Sequence, residues 1–184
     1  MSGPRRLSLD LPLHCSNTRS RAALEEDGTY KETVFLDVIG PAYIPIAFKA
    51  AAAADPGAKL YYNDFNLEYG DEKTTAAVEL VKMIKKAGAR IDGVGLQGHF
   101  TLEEMPLVDD MANSLRSLTD EGVDVAYTEA DIRMKTPATA QKLQQHAQGY
   151  ATLAQSCLTV PRCVGITIWV GRPRLCWGVR DCRY

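Results

Sequence analysis

Two acids stand two residues apart in VAYTEADIRM, Glu129 and Asp131, just where a hydrophobic run suited to a strand should end. Three other runs also end in polar or aromatic side chains. Asn63, Asp64 and Asn66 follow KLYY, Gln97 and His99 follow IDGVGL, and Trp169 follows VGITI. Carboxylates, an imidazole and amides gathered in one place can transfer protons, act as nucleophiles and hold a polar substrate. Singly, each has an ordinary structural use: a satisfied histidine, an acid capping a turn, a core tryptophan. Four consecutive strand ends that deliver such groups together point to a site.

The elements that must position them follow a regular rhythm. KLYYNDF (59–65), IDGVGLQ (91–97), VDVAYTE (123–129) and VGITIW (164–169) read as strands. Helices are predicted over 72–88, around 107–122 and over roughly 137–156, from apolar residues at helical spacing and the stops at Gly88 and Gly122. The strands start at 59, 91, 123 and 164, and strand–helix alternation at that period means βαβ units and a parallel sheet. Such a sheet brings its C-terminal strand ends to one rim, where α/β enzymes place their sites. Upstream, 32–55 is predicted as helix, interrupted at Pro41 and Pro45 and ended by Asp55-Pro56-Gly57. HFTLEEMP (99–106) reads as a loop. Four strands alone would leave two unpaired edges, at the first and the fourth, and such edges favour association.

GVGLQG (93–98) spells a dinucleotide fingerprint, but its glycines fall inside a strand and no helix opens behind them, so no nucleotide site is assigned. The chain has 184 residues and a net charge of -2, the composition of an ordinary globular domain. Residues 1–22 and 170–184 are Arg-rich while the middle is acidic. These flanks lack lysines and any nucleic-acid-binding signature, so no nucleic-acid partner is expected. No apolar run is long enough to cross a membrane, and the N-terminus is a poor secretory signal. Five cysteines, Cys15, Cys157, Cys163, Cys176 and Cys182, show no metal-site spacing. Cys157 and Cys163 bracket a short LTVPR loop, which suits either a local disulfide or two free thiols. No cofactor and no metal is expected.

LYYNDFN (60–66), IDGVGLQGH (91–99), VAYTEADI (125–132) and CVGITIW (163–169) resemble the signature strands of family 10 glycoside hydrolases. These are retaining endo-β-1,4-xylanases built on a (β/α)8 TIM barrel. ALEEDGTYKETVFLDVIGPAYIPIAFKAAAAADPGAKLYYNDFN looks like a fungal member. The resemblance covers 23–169 and implies an α/β fold, a partial barrel of about four parallel β/α units. It makes Glu129 the nucleophile, with His99 hydrogen-bonded to it and Asp131 holding the imidazole. Tyr62, Asn63 and Gln97 would contact the sugar, and Trp169 would wall the glycone site. It also implies a Cys157–Cys163 disulfide, xylan or xylo-oligosaccharides as substrate, and secretion.

The departures are specific. A retaining glycosidase needs a second carboxyl group, an acid/base about 5–5.5 Å from the nucleophile. The family supplies it in a W-D-V-x-N-E segment, where this chain has NTRSRA and Ala22 stands in place of the glutamate. Glu25 and Glu26 belong to the following loop of the family pattern. Residues 1–22 resemble none of the first four barrel strands, and 170–184 diverge from the family's tryptophan-bearing loop and last helix. Gly98 replaces a usual Ser, and Ala130 a usual Leu. The expectation is the C-terminal half of a xylanase with a nucleophile, without an acid, and inactive as it stands. The alternative is a non-catalytic carbohydrate-binding or interaction module.

Overall fold

Alternation along Lys59–Asp64 (β2) sends Leu60 and Tyr62 to one face of a sheet and Tyr61 and Asn63 to the other. The structure, a computed structural model, describes residues 22–169 and the backbone of Arg6–Leu9. Arg6–Leu9 forms β1, Gly93–Leu96 β3, His99–Thr101 β4, Asp124–Arg133 β5 and Cys163–Ile168 β6. All pairings are parallel and run β1-β2-β3-β5, with β6 on the far side of β5 and β4 beside the outer part of β5. The four expected strands thus lie in chain order.

Helices Val34–Ile39 (α1), Tyr43–Ala54 (α2), Glu72–Lys86 (α3), Val108–Thr119 (α4) and Ala140–Leu158 (α5) complete the described chain. The start of α3 is fixed by Asp71, whose carboxylate accepts from the Thr74 N–H, and its end carries Lys85 and Lys86 against the helix dipole. Its apolar stripe, Ala77, Leu80, Val81 and Ile84, packs into the same core as Leu60, Val94, Leu96, Val125 and Tyr127 of the sheet. Met111 and Leu115 from α4 and Leu153 from α5 join them. Each such buried side chain contributes on the order of 2 kcal/mol. A disulfide between Cys157 and Cys163, with Cα atoms 5.3 Å apart, ties the end of α5 to the start of β6.

Several expectations are corrected. Pro45 does not interrupt a helix. It is the third residue of α2, where its missing N–H falls among those with no intrahelical acceptor. The break is at Gly40, φ 73°, and Pro41. The outer edge of β2 is not open, because β1 pairs along it with Arg6 opposite Lys59. Of residues 1–22, four therefore form a strand; Ala22 begins the described body, and the others lie outside the described residues, as does the tail 170–184. HFTLEEMP is not all loop, since His99–Thr101 is β4 and Leu102–Glu104 a 3-10 turn. The third strand runs on to Arg133, because β4 supplies it with a partner, His99 opposite Asp131.

The same ladder shows how the two acids are aimed. Leu96 faces Tyr127 and His99 faces Asp131, so three steps on one side (96 to 99) oppose four on the other (127 to 131). The extra residue makes a bulge in β5, and the pairing with β6 shifts register over the same stretch. Before it, Val125 and Tyr127 are the core-facing residues; after it, Ala130 and Ile132 are. Thr128 and Glu129 therefore both look away from the helices.

Candidate active site

Asn63 is the hub. Its amide crosses the inner face of the sheet above Gly95, where a β-carbon would meet the Asn63 amide oxygen and the Thr128 methyl group. Thr128 Oγ1 donates to Asn63 Oδ1 at 2.6 Å, which fixes the amide orientation, and Asn63 Nδ2 then donates to Glu129 Oε1 at 3.2 Å. The glycines of GVGLQG thus make room for Asn63 and, at Gly93, for the ring of Tyr61.

His99 meets both acids. Its Nε2 lies 3.5 Å from Glu129 Oε2 and its Nδ1 lies 3.1 Å from Asp131 Oδ2. Hydrogen bonding to Asp131 first, then to Glu129, pushes the imidazole up to about 9 against the opposing effect of burial. The ring is therefore an imidazolium at neutral pH, donating from both nitrogens. Glu129 keeps a fifth of its side-chain surface exposed, so it is open to a ligand. A carboxylate held by an amide and an imidazolium, yet open to solvent, is equipped to attack an electrophilic carbon.

The turn that carries His99 is pinned through its backbone. The Gln97 N–H donates to the Asp64 carbonyl at 2.8 Å, and the Glu129 N–H donates to the Gln97 carbonyl at 3.0 Å. Gly98, φ 77°, accepts from the Asp131 N–H at 3.0 Å. Trp169 donates its N–H to the Ala130 carbonyl at 2.9 Å and is half exposed, which puts it at the same end of the sheet. Asn63, Gln97, His99, Glu129, Asp131 and Trp169 thus share one rim.

Tyr62 does not join them. It points to the opposite face from Asn63, is 4% exposed, and gives its hydroxyl to Asp64 Oδ2 in the core. It has almost no surface to offer a sugar. Asp64 is itself fully buried beside Lys73 Nζ at 3.4 Å, and that ammonium sits under the Phe65 ring and 3.4 Å from Glu26. Burial raises the Asp64 carboxyl, with Lys73 the main influence holding it down. This ion pair binds the loop after Ala22 to the end of β2, and it occupies Glu26. Ala22 is 4% exposed and brings only a methyl group.

One acid near the rim gave no sequence signal: Glu68, buried in the loop after β2, whose Oε1 accepts from the Gly98 N–H at 2.8 Å. Among the described residues no cluster of histidine, cysteine and acidic side chains could hold a metal ion, and no helix is long and apolar enough to cross a membrane.

The model of glycosyl hydrolase family 10 matches residues 21–180. Endo-1,4-beta-xylanase A of Fusarium oxysporum f. sp. lycopersici is 56% identical over 162 residues, 84% of this chain and 50% of that protein. Endo-1,4-beta-xylanase B of Humicola insolens is 56% identical over 146 residues, 76% of this chain and 41% of that protein. Among solved structures, an endo-1,4-beta-xylanase of Penicillium canescens superposes with a TM-score of 0.80 at 38% identity, over 85% of this chain and 49% of that one. A xylanase of Bispora sp. MEY-1 determined with xylobiose gives 0.79 at 36% identity, with the same coverage. The chain spans about half the length of the relatives it matches.

Proposed function

From a chain that belongs to glycosyl hydrolase family 10, we propose that Glu129 is the nucleophile of a retaining endo-β-1,4-xylanase site. The observation that carries this reading is the contact chain Asn63–Glu129–His99–Asp131 on the sheet rim. In the reaction a Glu129 oxygen forms a bond to the anomeric carbon of a xylosyl unit while the bond to the leaving sugar's oxygen breaks. That oxygen takes up a proton, and water then cleaves the glycosyl ester and regenerates the carboxylate. Asn63 and His99 hold the carboxylate in place on the rim. Gln97 and Trp169 sit where a bound sugar would meet them.

The leaving oxygen's proton must come from a second carboxyl group, and Asp131, Glu68 and Glu26 are each otherwise engaged. Asp131 is taken by His99, Glu68 is buried under Gly98 and Glu26 is tied to Lys73. Ala22 stands at the family's acid position. General acid catalysis is worth about 10²–10⁴-fold. This reading therefore gives the described residues the nucleophile half of a xylanase site, with Ala22 in place of its acid. Xylan or xylo-oligosaccharides are the ligands, as the xylobiose bound to the Bispora enzyme supports. The Cys157–Cys163 disulfide suits an oxidising, secreted setting.

Reducing-sugar release from xylan by the purified polypeptide, beside Glu129→Ala, tests the reading. The expected result is no turnover above the variant. Robust turnover that vanishes in Glu129→Ala would show that another group supplies the proton and would overturn the assignment of a missing acid.

A further inference from the structure

We propose that Glu68 is the positioning residue of the His99 imidazole, acting through the peptide nitrogen of Gly98. The inference draws its catalytic meaning from the assignment of Glu129 as nucleophile. Its structural content stands on other contacts.

Gly98 is the single residue between Gln97, which pairs with Glu129, and His99, which pairs with Asp131. Its φ of 77° turns the chain from β3 into β4, a conformation that side-chain-bearing residues rarely adopt. Both sides of this residue are held. Its carbonyl accepts from the Asp131 N–H, and its N–H donates 2.8 Å to Glu68 Oε1. The first bond comes from the same strand as the acids. The second comes from outside the sheet and fixes the turn against a separate element.

That element is rigid. Two helices reach the residue before Glu68: Ser114 Oγ of α4 donates to the Leu67 carbonyl at 2.6 Å, and Thr74 Oγ1 of α3 donates to it at 3.2 Å. Leu67 is fully buried and Glu68 is 1% exposed. A carboxylate in so dry a place is costly unless it does something its neighbours need. Its carboxylate accepts from the N–H of the turn that bears His99.

The charged and titratable groups facing Glu68 are Asp64 at the end of β2, His99 on β4, the Tyr127 hydroxyl on β5 and adjacent Tyr69. Burial pushes the Glu68 carboxyl up to about 7; its own N–H, the Gly98 N–H and His99 pull it down, and Asp64 pushes it further up. Near neutral pH the acceptor that holds Gly98 therefore gains its charge, and the bond strengthens. Glu68 touches no substrate; it places the group that touches the nucleophile.

The test uses the isotope-labelled full chain with Glu68→Gln, which keeps an acceptor of similar length, and Glu68→Ala, which removes it. The readouts are Gly98 amide exchange and the His99 ring signals followed against pH. In Glu68→Ala, Gly98 exchange should rise at least about tenfold while the amides of Val94 and Leu96 hold their rates. The His99 midpoint should fall by about one unit or more toward its ordinary value, as the ring slips from the Asp131 and Glu129 carboxylates that raise it. Glu68→Gln should restore most of both. The wild-type Gly98 amide should shift with a midpoint near 7 and lose that inflection in Glu68→Gln. Unchanged Gly98 exchange and His99 titration in folded Glu68→Ala would overturn the proposal. If Glu68→Ala does not fold, an inflection that persists in Glu68→Gln would overturn it. None of these signals needs a substrate, so they are separable from failure of Glu129 to act as a nucleophile.

Discussion

His99 should make the stability of this protein fall as pH rises from 6.5 through 9, and His99→Asn should abolish that component. The folded chain holds the imidazole proton up to about 9, against 6.5 for an ordinary histidine. Because the native state binds this proton more tightly than the unfolded chain, its contribution is fully present below 6.5 and is lost as pH climbs past 9. At about 1.4 kcal/mol per unit, a gap of about two and a half units is worth about 3 kcal/mol, and the ring's partial exposure to solvent lowers this toward about 2. Urea unfolding of wild type and His99→Asn at pH 6 and pH 10 measures it: the difference between them should shrink by about 2–3 kcal/mol at the higher pH. Ring titration by NMR then apportions the shift. Asp131→Asn should lower the midpoint more than Glu129→Gln, because the Asp131 contact is the shorter and stronger of the two. A wild-type midpoint near 6.5, or a stability difference that ignores pH, would refute the imidazolium reading.

Gly95→Ala would drive a methyl group into the Asn63 amide and Thr128. Urea unfolding should show a loss of about 1–3 kcal/mol, the usual cost of overpacking, and Asn63 should leave Glu129. Cys157→Ser with Cys163→Ser opens a loop of sequence separation 6, so unfolding without reductant should show a loss of about 2 kcal/mol. A change below about 0.5 kcal/mol would mean that the unfolded chain does not feel the link.

The parallel order of the sheet was legible because strand, helix and stop signals recur at a steady period, and a parallel sheet must bring their ends together. That Asn63, His99, Glu129 and Asp131 share a rim followed from that order; that His99 meets Glu129 and Asp131 was implied only by the family resemblance. What could not be read was orientation. Strict alternation puts Val125, Tyr127 and Glu129 on one face, yet Tyr127 is in the core and Glu129 on the rim. The bulge that separates them depends on how β4 pairs with β5, a contact between segments about thirty residues apart. Tyr61 and Tyr62 posed the same difficulty: two aromatic neighbours give no polarity by which to choose the inner one. Pro45 was misread because a proline looks the same in the first turn of a helix as in its middle until the start is known. The pairing of Arg6–Leu9 had no signal, since four residues joined through backbone groups leave little trace in side-chain pattern. Glu68 lay in a loop, where an acid is ordinarily solvated, and only packing shows that it is buried.

The central claim is the proposal that Glu129 can attack an anomeric carbon although Ala22 stands at the family's acid position. A 2,4-dinitrophenyl 2-deoxy-2-fluoro-xylobioside tests it directly, because its leaving group departs without protonation and the fluorinated glycosyl ester is slow to hydrolyse. Incubation followed by peptide mass spectrometry should find a single adduct on the peptide containing Glu129, absent from Glu129→Gln. A folded chain that gives no adduct, or one labelled at a different carboxylate, would contradict the account.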